Sequence, residues 1–583
     1  MTHPNRNSLW GAVVADELAA AGVEAAVLAP GSRSTPLTTA VAGHDTLESF
    51  SLLDERSAAF FALGRAKRTG RPVPVVTTSG TATANLHPAV IEAHRARVPM
   101  LLLTADRPRT LQDSGANQTV DQEKLYGDAV RAYRTLPEPA ADDRKLRSLR
   151  TALDRAVATA TGTHPGPVHL NVPFAKPLEP TPVDGDVPEG FAERFPLAAE
   201  GRDGPFVTVT PGRPELAAHD RAALVDAVEA ADRGLIVAGP ESHLRGDALR
   251  GLARATGFPV LADPLSGARF GDHVADDAVT VCGGYDAYVD GLDAYPELVL
   301  RFGASPTSKP LRKYLASAGR AGARQVVVDP AGGWREAEFT ATDLAVADPT
   351  RLAAALAGRV DREAGAWRER FERLEADYWA LTAGEELFEG AVLRAVAAGL
   401  PDPSTLFVSN SMPVRDLDRF GRPRAADVTA LGNRGASGID GITSSALGAG
   451  SAADEPLVLV VGDLAYYHDA NGLLAVERCG VDATVVLINN DGGGIFHMLP
   501  IEAFDPPFTE YFRTPHGLEF APTAEMYGLE FARVDTLEAF GDAYRASLES
   551  SGTQVIEVRV DAEASHRRRE RHHERVSEAL GGD

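Results

Sequence analysis

A short apolar segment that ends in a Gly or polar turn and leads into a helical stretch recurs along this chain. No other feature limits the fold as much. AAVLAPGSRS (25–34), VPVVTTSGTATAN (73–85), VPMLLLTADRP (98–108) and PVHLNVP (167–173) form a first group. RGLIVAG (233–239), FPVLAD (258–263), ELVLRFG (297–303) and RQVVVDP (324–330) form a second. TLFVSNS (405–411), LVLVVGD (457–463), ATVVLINN (483–490) and TQVIEVRV (553–560) form a third. Segments this uniformly apolar are strands buried on both faces, and their alternation with helices makes the sheets parallel. Helical periodicity fills the gaps, as at Leu9, Trp10, Val13, Val14 and Leu18 before Gly22, and around 84–95. The sequence therefore predicts an α/β protein of three consecutive open parallel-sheet domains, 1–185, 186–360 and 361–583. The Pro-rich acidic stretch 179–190 reads as a linker, and a helical run at 351–383 leads into the third unit.

Composition narrows the partners before any motif does. The chain of 583 residues carries 58 basic and 82 acidic side chains, a formal net charge of −24. An acidic body repels phosphate backbones and anionic lipid, so neither nucleic acid nor membrane is expected as a partner. No apolar run is long enough to cross a bilayer, and MTHPNRNSLW at the start lacks the features of a secretory signal. Two cysteines, Cys282 and Cys479, exclude a disulfide framework and a Cys-based zinc module, which fits a reducing cytoplasm. Lysine occurs only at 67, 124, 145, 176, 309 and 313. A surface that uses Asp and Glu instead fits a halophilic protein, hydrated in concentrated salt, although a GC-rich genome gives a similar bias. The terminal SHRRRERHHER (565–575) reads as a solvated helical tail.

Open parallel sheets bind ligands beyond the carboxyl ends of their strands. One strand ends at Gly462-Asp463, and the next at Asn489-Asn490 followed by three glycines. A lone Gly-Asp is usually a helix cap. An Asp and an Asn at successive strand ends, with a carbonyl from a Gly run, supply hard oxygen ligands suited to Mg²⁺. The metal keeps its other positions for water and phosphate oxygens, and a helix start nearby favours the same anion. This GD…NN arrangement resembles the diphosphate-binding motif of thiamine diphosphate enzymes. The resemblance implies three domains of that enzyme type: pyrimidine-binding, central and diphosphate-binding. Asp463, Asn490 and the carbonyl of Gly492 would hold Mg²⁺ or Mn²⁺ against the cofactor's diphosphate, with Gly462 alongside. Glu55, in LDERSAAFFALG, would hydrogen-bond the aminopyrimidine ring, a contact that by itself reads only as a cap or surface pair. Ile439 in NRGASGIDG would hold the cofactor bent, and Ile495 and Phe496, with Leu499 close by, would form an apolar wall. The family's site lies between subunits, so a homodimer at least is implied.

Basic and amide clusters mark further strand ends: GSRS (31–34), TADRP (104–108), GANQ (115–118), SNSMPVRDLD (409–418) and NRGASGIDG (433–441). Any one Arg is usually a surface ion pair. Five such clusters in so acidic a chain indicate a pocket for several carboxylates, which Arg forks bind in bidentate fashion. Within the family the set is similar to the members that act on 2-oxoglutarate and isochorismate in menaquinone biosynthesis. That likeness places Ser32, Arg33, Arg107, Asn117, Gln118, Lys309, Ser411, Arg415 and Arg434 against substrate, with Arg33, Ser411 and Arg415 joining Glu55 in catalysis. Some relatives carry a basic residue after the lysine, where this chain has Pro310. A decarboxylase or acetolactate synthase of the same family needs fewer cations. A non-catalytic cofactor binder has no use for Glu55. A dinucleotide oxidoreductase would need a GxGxxG fingerprint that follows no strand here.

Overall fold

The computed structural model describes residues 3–384 and 386–580. Its first sheet contains β1 (Ala25–Ala29), β2 (Glu48–Ser51), β3 (Val73–Thr77), β4 (Met100–Asp106), β5 (Ala132–Thr135) and β6 (Pro167–Pro173), in the order β2-β1-β3-β4-β6-β5. The second contains β7 (Gly234–Ala238), β8 (Val260–Ala262), β9 (Val281–Cys282), β10 (Leu298–Phe302), β11 (Arg324–Val328) and β12 (Asp343–Ala345), in the order β12-β11-β10-β7-β8-β9. The third contains β13 (Ser404–Val408), β14 (Val428–Leu431), β15 (Leu457–Gly462), β16 (Thr484–Asn489), β17 (Glu530–Val534) and β18 (Gln554–Arg559), in the order β14-β13-β15-β16-β18-β17. Every pairing within these sheets is parallel. The three parallel α/β sheets expected from the strand pattern are present.

Each predicted strand occupies an interior position. The strands without a continuous apolar run, β2, β5, β9, β12, β14 and β17, are the sheet edges. Interior strands such as β3, β7 and β13 are buried along their whole length. Edge strands such as β2 and β5 are half exposed, so they lack the continuous apolar run. Strand order reverses between β1 and β3, between β7 and β10, and between β13 and β15. Such reversals open a crevice at the carboxyl ends.

The chain forms two compact units. One comprises Met1–Gly212 with Asn433–Asp454 and His468–Val481. The other comprises Arg213–Gly432, Glu455–Tyr467 and Asp482–Asp583. In the first, the helix Glu55–Thr69 crosses the helix Ile442–Gly450 so closely that a Cβ on Gly64 would overlap the Ser445 carbonyl oxygen. In the second, the terminal helix Ala562–Leu580 packs on the body instead of standing in solvent. Ser565, His566, Arg569, His572, Val576 and Leu580 are buried at helical spacing, and Val576 and Leu580 join the cluster around Tyr285 and Tyr378. The solvated tail expected from composition is therefore wrong. Its buried face carries His566, Arg569 and His572, and Arg569 finds Glu389 and Asp416 inside, a face that composition does not register. The expected run at 351–383 divides into Pro349–Ala357 and Ala366–Leu381, with Gly358 capping the first helix.

Candidate active site

In the second unit, the register of β15 against β16 pairs Gly462 with Ile488, so the two strand ends lie side by side. Asp463 is 2% exposed there. Its Oδ1 accepts from the Leu464 N–H at 2.7 Å. Its Oδ2 accepts from the N–H groups of Asn490 at 3.1 Å and Gly492 at 3.0 Å. Burial raises the Asp463 carboxyl pKa, opposed by the Gly492 and Leu464 N–H groups and by His516. His516 accepts the Leu518 N–H on Nδ1 at 2.9 Å, so its proton sits on Nε2, 3.2 Å from Asp463 Oδ2. Gly492 has φ of 131°, and a Cβ there would overlap the Arg513 carbonyl, so the turn after β16 requires glycine.

Asn490 donates through Nδ2 to Glu389 Oε1 at 2.7 Å. A carboxylate only accepts, so this bond fixes the amide's orientation. Asn490 Oδ1 is buried with no hydrogen-bond partner. An acceptor left unmatched beside a buried carboxylate has the character of a cation ligand. Among the described residues no three His, Cys, Asp or Glu side chains converge on a metal position. A divalent ion would thus depend on the mixed set of Asp463, Asn490 and a Gly-run carbonyl, and these residues fit it.

A cavity of about 350 Å³ in the same unit is lined by Lys309, Arg312, Arg415, Ile495, Met498 and Leu499, together with His566, Arg569, Glu570 and His573 of the terminal helix. Four residues marked in the sequence, Lys309, Arg415, Ile495 and Leu499, therefore converge from three segments. Lys309 opens a helix capped by Ser308, whose hydroxyl accepts the Leu311 N–H at 3.1 Å. Arg415 donates to the Ser411 carbonyl at 2.6 Å. Ser411 itself has φ of 69°, a strained conformation for a residue with a side chain, at the carboxyl end of β13. Ser411 and Phe496 do not line the cavity, and the Phe496 ring packs on Phe512 at 5.5 Å.

The first unit holds the remaining marked residues. Glu55 is the first residue of its helix, half-buried, and Asp54 caps that helix by accepting the Arg56 N–H at 2.9 Å. Ser32 is exposed just beyond β1, and Arg33 beside it is buried, donating to the Phe174 carbonyl at 2.6 Å. Arg107 donates to the Asn117 carbonyl at 2.9 Å, and Gln118 to the Ser79 carbonyl at 2.9 Å. Arg434 and Ile439 lie on the loop 433–441. Buried Glu92 holds that loop by accepting the N–H groups of Gly435 at 2.7 Å, Ala436 at 2.6 Å and Ser437 at 3.2 Å. Behind the Arg107–Gln118 loop runs a buried polar chain, in which Asn171 also donates to Asp106 Oδ2 at 2.8 Å. Thr104 Oγ1 bonds His169 at 2.7 Å and Asn171 at 2.9 Å, while Gln122 donates to Asn171 at 2.9 Å and accepts the Gly80 N–H at 3.0 Å.

Residues 10–125 match the N-terminal TPP binding domain of thiamine pyrophosphate enzymes, and residues 428–558 match the C-terminal TPP binding domain. The 2-succinyl-5-enolpyruvyl-6-hydroxy-3-cyclohexene-1-carboxylate (SEPHCHC) synthase of Natronomonas pharaonis is 65% identical, with 100% of each chain covered. The chain belongs to the SEPHCHC synthase family. A family member from Halobacterium salinarum is 64% identical over 99% of both chains. In fold, the chain resembles the thiamine diphosphate-dependent 4-hydroxybenzoylformate decarboxylase of Rhodococcus jostii RHA1. The TM-score is 0.72 at 18% identity, over 95% of this chain and 99% of that one. Membership in the SEPHCHC synthase family makes the chain a thiamine diphosphate-dependent enzyme of the C–C bond-forming transferase class, and sets aside the oxidoreductase and the non-catalytic binder. Sequence reasoning assigned no role to Glu92, Glu389, His516 or Arg569. Each acts by holding another residue, and a lone Glu or His inside a helix or loop gives no sign of its partner.

Proposed function

We propose that the chain decarboxylates 2-oxoglutarate and adds the resulting four-carbon unit to isochorismate, giving SEPHCHC and CO2 in menaquinone biosynthesis. The convergence of Lys309, Arg415, Ile495 and Leu499 on one cavity carries this reading, because it joins cations to an apolar wall. Asp463, Asn490 and the Gly492 carbonyl would hold Mg²⁺, or Mn²⁺ in its place, against the diphosphate of thiamine diphosphate. That cofactor would supply, when bound, a nucleophilic carbon that bonds the keto carbon and a cationic ring that takes up the electron pair left by CO2 and returns it to the acceptor. Glu55 would hydrogen-bond the aminopyrimidine ring and exchange a proton with it, and Ile439 would keep the cofactor bent. Lys309 and Arg415 would bind substrate carboxylates, as would Ser32, Arg33, Arg107, Asn117, Gln118, Ser411 and Arg434. Ile495, Phe496 and Leu499 would exclude water, which favours loss of the charged carboxylate. Negative charge that develops on the acceptor would fall under the same cations.

The three domains keep the division 1–185, 186–360 and 361–583, the working assembly is a homodimer at least, and the enzyme acts in the cytoplasm. The acidic surface, with a net charge of −24, supports operation in concentrated salt. No described helix is long and apolar enough to cross a membrane. The test is coupled consumption of 2-oxoglutarate and isochorismate by the purified protein with thiamine diphosphate and Mg²⁺ at high KCl. Loss of both substrates with CO2 release, dependent on cofactor and metal, is expected. CO2 release without loss of isochorismate would move the function to another 2-oxo acid decarboxylase.

A further inference from the structure

A buried ionic chain links the proposed metal site to the substrate cavity through the terminal helix. Asn490 donates to Glu389 Oε1 at 2.7 Å. The other oxygen of Glu389 accepts from Arg569 Nη2. Arg569 also donates through Nε to Asp416 Oδ1 at 2.6 Å, and through Nη2 to Asp416 Oδ2. Asp416 directly follows Arg415, and both residues line the cavity together with Arg569. Glu389 and Asp416 are each 1% exposed and Arg569 is 6% exposed, so water screens these charges little. We infer that Glu389 and Arg569 are positioning residues: Glu389 turns the Asn490 amide so that Oδ1 faces the metal, and Arg569 couples that orientation to the helix Met412–Phe420 that carries Arg415.

The physical argument is one of alternatives. An Asn amide presents either its oxygen or its NH2 to a given position, and only the oxygen binds a cation. With a carboxylate on the far side, the flipped amide would set oxygen against oxygen, so the ligand-competent orientation prevails. Two buried carboxylates would repel each other, and Arg569 between them removes that conflict with its planar fork. Residues that orient metal ligands in this way change metal affinity by about 10–100-fold when removed. Arg569 sits in the helix whose composition alone suggests a solvated tail, and this contact gives the helix a role in the site.

The inference rests on the metal assignment proposed above, and the test separates the two. Mn²⁺ binding to the full chain with thiamine diphosphate is followed by electron paramagnetic resonance, and cofactor binding by fluorescence quenching at saturating Mn²⁺. Absence of Mn²⁺ binding in the unaltered protein would overturn the metal assignment itself. Given binding there, Glu389→Ala is expected to weaken Mn²⁺ by about 10–100-fold while cofactor affinity at saturating Mn²⁺ stays within about threefold. Arg569→Lys keeps a cation but loses the fork, and is expected to weaken Mn²⁺ less and to raise the KM for 2-oxoglutarate. Unchanged Mn²⁺ affinity in both variants would overturn the inference. Equal loss of metal, cofactor and thermal stability in both would also overturn it, since that pattern marks a merely structural role.

Discussion

The first and third sheets have the same strand order, yet their carboxyl ends are furnished differently. Counting strands along each, both run second, first, third, fourth, sixth, fifth. In the third sheet the strand ends present an acid and an amide, Asp463 and Asn490, and a buried ionic chain of Glu389, Arg569 and Asp416 supports them. In the first sheet they present cations and amides, Arg33, Arg107, Asn117 and Gln118. The support there is a chain of uncharged side chains, Thr104–His169–Asn171–Gln122, anchored on the single buried carboxyl of Asp106. One topology thus carries two sets of strand-end residues and supports, while the apolar character of the interior strands is common to both. A metal site needs fixed negative charge behind it.

The largest expected effect divides the two ends by task. Glu55→Gln should keep metal-dependent cofactor binding while turnover falls by about 10²–10⁴-fold. Asp463→Ala should instead abolish metal-dependent cofactor retention. Turnover assays paired with fluorescence quenching check both variants, and loss of cofactor from Glu55→Gln would erase the division. Next in size, Arg415→Ala should raise the KM for 2-oxoglutarate by about 10–100-fold, the worth of one charge-assisted contact, with Mg²⁺-dependent cofactor affinity unchanged. An equal fall in cofactor affinity would show that Arg415 serves the third sheet's metal end and not the substrate.

Smaller effects concern packing and pH in the first unit. Gly64→Ala forces a Cβ against the Ser445 backbone and should cost about 1–3 kcal/mol. Hydrogen exchange should report it as lost protection in 55–69 and 442–450. Burial pushes the His169 pKa down to about 3, so folding holds this ring neutral. The unfolded chain, titrating near its ordinary value of 6.5, takes up the proton first as pH falls. His169 therefore contributes stability that is present above pH 6.5 and is lost as pH falls towards 3, at about 1.4 kcal/mol per pH unit or less. His169→Phe should flatten the acid limb of a denaturation-versus-pH curve. An unchanged limb would show that the His169 ring in the support of the first sheet is not what acid disrupts.

Much of the molecule was legible from the chain alone. Continuous apolar runs located the interior strands, because a strand covered on both faces has no polar position to interrupt it. Edge strands such as β5 (AYRT) and β17 (EFARV) stayed hidden, since half exposure and short length leave no pattern distinct from a loop. At the site, Asp463, Asn490 and Gly492 were readable because oxygen-bearing groups of this kind stand at successive strand ends at a fixed interval. Arg415 was marked by its basic cluster at a strand end and Lys309 only by resemblance, and the fold then placed both at one cavity. Glu92, Glu389, His516 and Arg569 were not readable, because their roles depend on partners far away in sequence.

The chain by itself determined three parallel sheets and a set of strand-end residues whose chemistry fits a metal and a diphosphate. It did so through local rules: burial sets the apolar runs, and strand ends collect the reactive side chains. Tertiary structure alone decided which way the Asn490 amide faces, that Glu92 grips the 433–441 loop, and that a His- and Arg-rich terminus lines the cavity. Each of these is a contact between segments separated by tens to hundreds of residues. Buried polar groups must find partners wherever the fold brings them, and no local pattern in the sequence encodes that meeting.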